Sequence, residues 1–324
     1  MMRIRLARGV FGCAVALASV AVHAQGGNRL SDPQQGAPSR WQADVVRMDD
    51  AMRTRALSVD APRARWLAAE IDRSDIDIQV ANLAQARNRV PTEKLYLASL
   101  ALACLERVQP LPDACDATDR LADWATRDAD NGIPSLLLAE RAQQRNNGAS
   151  MIAYLEEAAS RPRFDDYRAR GSLFIWEEVR SLPGSDEPAA RVELAATWGL
   201  ARPAYGTGSL QALCRDAARF GDTARGACTA AGNALAQRGS TWMLRTAGAR
   251  IAERNATTPD AQTRAASQLA DVQRRAYECA QLGNPVAAAL QSPEGAVRAA
   301  AVAQWEARLR READVGEVAA CAAG

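Results

Sequence analysis

From Trp41 to the C-terminus, apolar residues recur three or four positions apart with almost no break, separated by short turns. That pattern confines the chain to helices packed on helices. Trp41, Val45, Met48 and Met52 form one stripe. Asp60 and Pro62, a preferred cap and a preferred first-turn residue, open a second helix carrying Trp66 and Leu67. Residues 76–80 alternate like a strand, yet Ile76, Val80 and Leu83 also fit one helical face with Ser74 as its cap, and helix is the reading adopted. Further helices are expected over 92–108, from Asp113 or Cys115 to Arg127, and over 133–145, 165–179, 187–198, 209–220, 223–237, 240–254, 260–282 and 295–311, with another marked by Met151, Leu155 and Ala158. Alanine supplies 71 of the 324 residues, which suits close-packed helices better than sheet. The expected fold class is all-α, an array of antiparallel helical hairpins in two packed segments, 41–180 and 187–324, joined by the SLPGSDEP linker at 181–188.

The N-terminus reads differently. Arg3, Arg5 and Arg8 precede an apolar run from Val10 to Val22, and small residues then stand before Gln25. Residues 1–24 are therefore expected to be a signal peptide cleaved near Ala24, which makes the protein periplasmic or secreted. The run is too short to cross a bilayer and no later run is longer, so no membrane span is expected. Residues 25–40, polar and rich in Gly, Gln and Pro, read as a disordered arm.

Cleavage there removes His23, the only histidine, and three arginines but no acid, so the net charge passes from +2 to −1. A chain without imidazole has no Ser-His-Asp triad, no Cys-His pair and no HExxH zinc site. Its balanced charge argues against nucleic acid as a partner. Neither a cofactor nor a metal is expected.

Removal of Cys13 with the same segment leaves six cysteines, an even set in an oxidising compartment. Cys104 and Cys115 flank a turn containing Pro110 and Pro112, and Cys214 and Cys228 are symmetric about Gly221. Residues equidistant from the turn of a helical hairpin face each other, so each pair falls within reach of a disulfide. Cys279 and Cys321 remain to close a longer loop.

The run from Trp124 to Gln144, with Asp128, Asp130 and Asn131 at its turn, resembles the junction between two tetratricopeptide repeats. Leu138, Ala139 and Ala142 stand where helix A packs, and Leu155 and Ala158 where helix B packs. The resemblance covers residues 92–162 and departs from the pattern at Ser135, where a tryptophan is usual, and at Arg163, where the terminal proline falls. Sel1-like arrays fit nearly as well. The resemblance implies a scaffold with a concave face that binds proteins or peptides.

Candidate chemistry is sparse. Asp128-x-Asp130-Asn131-Gly132 misplaces the glycine of a calcium loop and reads better as an inter-repeat turn. Asp222-Thr223-Ala224 lacks the glycine of an aspartic-protease loop, and Asp222 reads as a helix N-cap. Lys94, the only lysine, reads as a surface charge. The adjacent pairs Glu156-Glu157, Asp165-Asp166 and Glu177-Glu178 diverge by about 100° on a helix. Asp165, Tyr167, Phe174 and Trp176 are candidate groove residues, although aromatics so spaced are more often core. The expected function is a non-catalytic scaffold for an unknown protein or peptide partner; the alternative is a carboxylate-based cell-wall glycan hydrolase.

Overall fold

A computed structural model describes residues 41–71, 75–105, 115, 117–201 and 207–322. The signal segment, the polar arm, Ser74 and the Pro110–Pro112 turn lie outside them. The described residues are all-α: apart from two isolated bridges they hold no strand.

Helices α1 (Gln42–Ser58), α2 (Pro62–Ile71), α3 (Ile76–Arg89), α4 (Lys94–Leu105), α5 (Ala117–Arg127), α6 (Ile133–Gln144) and α7 (Gly148–Ser160) each pack on the next. The row continues from α7 into α11 (Asp222–Arg238), α12 (Trp242–Asn255) and α13 (Pro259–Gln281). Between them, α8 (Arg168–Arg180) and α9 (Pro188–Ala201) form a hairpin that folds back onto α1. Helices α14 (Asn284–Leu290), α15 (Gly295–Val315) and α16 (Glu317–Ala322) complete the chain, with α15 lying on α8 and α9. The short α10 (Thr207–Ala212) touches α6 and α12.

Sequence explains these positions. Every residue of α4 from Leu95 to Leu105 is buried, as its apolar character on all faces requires. In α5, Leu121 and Trp124 point into the core. On α8, Leu173, Phe174, Ile175, Trp176 and Val179 are all buried, so this helix is enclosed. Phe174 meets Trp66 of α2 and Tyr96 of α4 edge-on, at 5.8 and 6.2 Å between ring centres. Trp176 meets Trp305 of α15 at 4.8 Å. One connected apolar core results, running from Met48 to Leu309.

Several local expectations are corrected. Helix α3 is capped by Asp75, whose carboxylate accepts from the Asp77 and Ile78 amides, one position beyond Ser74. The single helix expected over 209–220 is broken: Cys214 sits at φ +63°, which ends α10 and leaves a 3₁₀ turn at Ala217–Phe220. Gly221, at φ +90°, takes the N-cap position of α11, so Asp222 is the first helical residue and not the cap. Around the expected linker at 181–188, Arg191 donates to the carbonyls of Val179, Leu182 and Ser185, and Arg298 Nε and Nη2 donate to the two carboxylate oxygens of Glu187.

Candidate functional site

Four turns lie side by side at one end of the helix row. Their backbones are stitched together: Gly132 N–H donates to Arg163 O (2.9 Å), Ser240 N–H to Phe164 O (2.8 Å) and Val318 N–H to Ser240 O (3.1 Å). Asp128 stands at the end of α5, its side chain fully enclosed. Its Oδ1 accepts from Lys94 Nζ (2.8 Å) and from Arg163; its Oδ2 accepts from Tyr167 Oη (2.7 Å), Asn131 Nδ2 (2.9 Å) and Trp124 Nε1 (3.2 Å). Burial pushes the Asp128 carboxyl up, but the Lys94, Tyr167 and Asn131 hydrogen bonds and the Arg163 charge outweigh it and hold it below the ordinary range.

Asp165 is the second carboxylate of this junction. Its Oδ1 accepts from Tyr167 N–H (2.9 Å) and Ser240 Oγ (3.2 Å) while Oδ2 faces Arg163. Burial, followed by the neighbouring Asp166 charge, raises its pKa. Although the two pKa values diverge, as in an acid–base pair, both carboxylates are spent on protein donors, and Asp128 is sealed from solvent. The geometry is that of a structural knot.

The sequence-derived groove residues therefore do not line a groove together. Asp165 and Tyr167 belong to this knot, whereas Phe174 and Trp176 are core, at 4% and 1% exposure. Tyr167 adopts the left-handed region (φ +57°), held there by its bonds to Asp165, Arg163 and Asp128. Lys94, read from sequence as a surface charge, is Asp128's ion-pair partner. Glu177 and Glu178 pair with Arg63, and Glu157 with Arg161.

The six cysteines form three disulfides, Cys104–Cys115, Cys214–Cys228 and Cys279–Cys321, with Cα separations of 5.4, 5.9 and 5.8 Å. The second anchors the turn beside α12 and the third ties α13 to α16. No helix among the described residues is long and apolar enough to cross a membrane.

An open groove of about 410 Å³ lies along α12. Met243, Ala247 and Ile251, four residues apart, form its apolar floor, and Trp242 stands at one end. Arg250 and Arg254 border the floor on the same helix, and Arg215 reaches in from the turn after Cys214. None of the described residues lining it is acidic, and neither Arg215 nor Arg250 has an acidic partner among the described residues. Met243 is 37% exposed, with Arg168 Nη1 4.0 Å from its sulfur. The Arg245 guanidinium lies over the Trp242 ring; burial, and after it the Arg275 charge, lower its pKa.

Sequence reading passed over this site. Its signal was the Met243, Ala247, Ile251 stripe with arginines on its edge, hidden in a chain where arginine supplies all but one of the basic side chains. Comparison with protein-family models, with curated proteins and with solved structures finds no match to this chain.

Proposed function

We propose that this protein is an extracytoplasmic scaffold, built of tetratricopeptide-like or Sel1-like helical hairpins wound about α8, that holds a protein or peptide partner and catalyses no reaction. The observation that carries the reading is the α12 groove, where Arg215 and Arg250, exposed and without an acidic partner among the described residues, border an apolar floor. An oppositely charged partner docking there gives Arg215 and Arg250 the acidic counterparts that the described residues do not supply. Periplasmic or secreted placement is supported by the three disulfides, which persist in oxidising compartments.

Immobilised wild-type protein is expected to capture a defined partner from the periplasmic fraction of its own cells, and R215E/R250E protein to lose it. Capture indifferent to those substitutions, together with turnover of peptidoglycan fragments by the purified protein, would overturn the reading in favour of a hydrolase.

A further inference from the structure

The chemistry of the α12 groove specifies its occupant more narrowly, on the premise that the groove is the partner-binding site. We propose that it takes an acidic amphipathic helix of the partner, with two carboxylates one turn apart meeting Arg215 and Arg250 and a bulky aliphatic side chain lying between Trp242 and Met243.

Charge complementarity comes first. The groove lining carries cations and no acid among the described residues. A basic or neutral segment leaves that charge unanswered. The floor supplies the second argument: Met243, Ala247 and Ile251 form a ridge about 12 Å long at the helical rise. A small anion satisfies the arginines but leaves the exposed Met243 uncovered, whereas a segment carrying both carboxylates and an aliphatic anchor satisfies both. Thioether side chains suit such an anchor because they repack around it.

Backbone geometry favours a helix over an extended strand. An extended peptide gains affinity mainly by adding main-chain hydrogen bonds to an open sheet edge, and the described residues contain no sheet. A helix instead lays its i, i+4 ridge alongside that of α12, the usual way helices pack.

The test uses the full-length, disulfide-intact protein and a fluorescent synthetic helical peptide bearing Glu at i and i+4 beside a Leu, with binding followed by anisotropy. Control peptides replace both Glu by Gln, both Glu by Lys, or Leu by Ala, and phosphatidylglycerol vesicles form a separate arm. The acidic peptide is expected to bind. Glu→Gln should weaken it about tenfold, the size expected of two partly exposed ion pairs, and Leu→Ala should weaken it further. R215E/R250E protein should lose the acidic peptide and acquire the Lys peptide, a reversal that damage to the fold does not produce. M243A, which leaves the charges intact, should weaken only the Leu-bearing peptides.

Equal binding of acidic and Lys peptides, binding of neither, or acidic-peptide affinity unchanged in R215E/R250E would overturn the proposal. So would groove-dependent binding of the vesicles without binding of the peptide. If no acidic peptide binds while R215E/R250E still abolishes partner capture, the occupant is wrong and the scaffold reading stands; loss of both removes both.

Discussion

Asp128 concentrates five hydrogen bonds on one buried carboxylate, so single substitutions there act far beyond their size. In Asp128→Asn the charge facing Lys94 and Arg163 disappears while the cations stay half-buried. Water reaches both cations, so the loss is that of buried hydrogen-bond partners such as Tyr167, about 1–3 kcal/mol, and chemical denaturation at pH 7 should read a loss of that order. Its pH dependence has a definite sign. The native carboxyl titrates below its unfolded value near 3.8, so its contribution is complete above that value and is lost as the pH falls through the native pKa. The wild type should therefore converge on Asp128→Asn in acid. Glu140 behaves oppositely. It is 2% exposed, with Oε2 unbonded, and burial raises its pKa against the opposing Arg141 charge and Gln144 hydrogen bond. Its ionised form is disfavoured in the folded state, so stability falls as pH rises through the native pKa. Glu140→Gln should gain stability over wild type with rising pH, measured by thermal unfolding at pH 4 and 8. Sequence marked the turn holding Asp128 and Asn131, but not the partners that converge on it, because Lys94 arrives from α4 and Arg163 and Tyr167 from the turn before α8.

At the scale of elements, α11 and α12 approach closely through Gly232 and Gly248. A Cβ on Gly248 would lie 2.6 Å from the Gly232 carbonyl oxygen, and one on Gly232 would lie 2.7 Å from the Ala252 amide nitrogen. Gly248→Ala gains about 1 kcal/mol of helix propensity, but the neighbouring backbone cannot yield as a flexible side chain does. Overpacking of this kind costs about 1–3 kcal/mol, so the clash wins and the melting temperature should fall. Helix existence was legible from periodicity; helix ends were less so. The break at Cys214 shows why: this left-handed residue, bridged to Cys228 and donating its own amide to Gln143 Oε1 (2.8 Å), is set by tertiary partners and not by local propensity. Asp75 and Gly221 displaced the expected caps by one residue each.

For the whole molecule, the disulfides divide the stabilisation unevenly. Their sequence separations are 11, 14 and 42 residues. Loop-closure entropy assigns about 4 kcal/mol to the longest and about 3 kcal/mol to each of the others. Cys279→Ala/Cys321→Ala should accordingly lower unfolding free energy most, and limited proteolysis should show the first new cuts in α13 to α16, much of whose surface is exposed. The all-α class and the hairpin order could be read from spacing and turn residues. The enclosure of α8 could not. Its buried face on every side marks a central helix, but which neighbours surround it follows from contacts with α2, α4 and α15 far away in the chain.

That central helix also bears on how such a chain changes length over generations. A row of hairpins open at both ends lengthens when a stretch of gene is copied in tandem, since each new unit needs only its two neighbours. Here α8 touches α2, α4 and α15 at once, and a hairpin copied between α2 and α4 would push those partners apart and uncover Phe174. Added length is then expected to be tolerated at the ends and outer turns, and to cost stability between α2 and α4, where Phe174 spans the two helices.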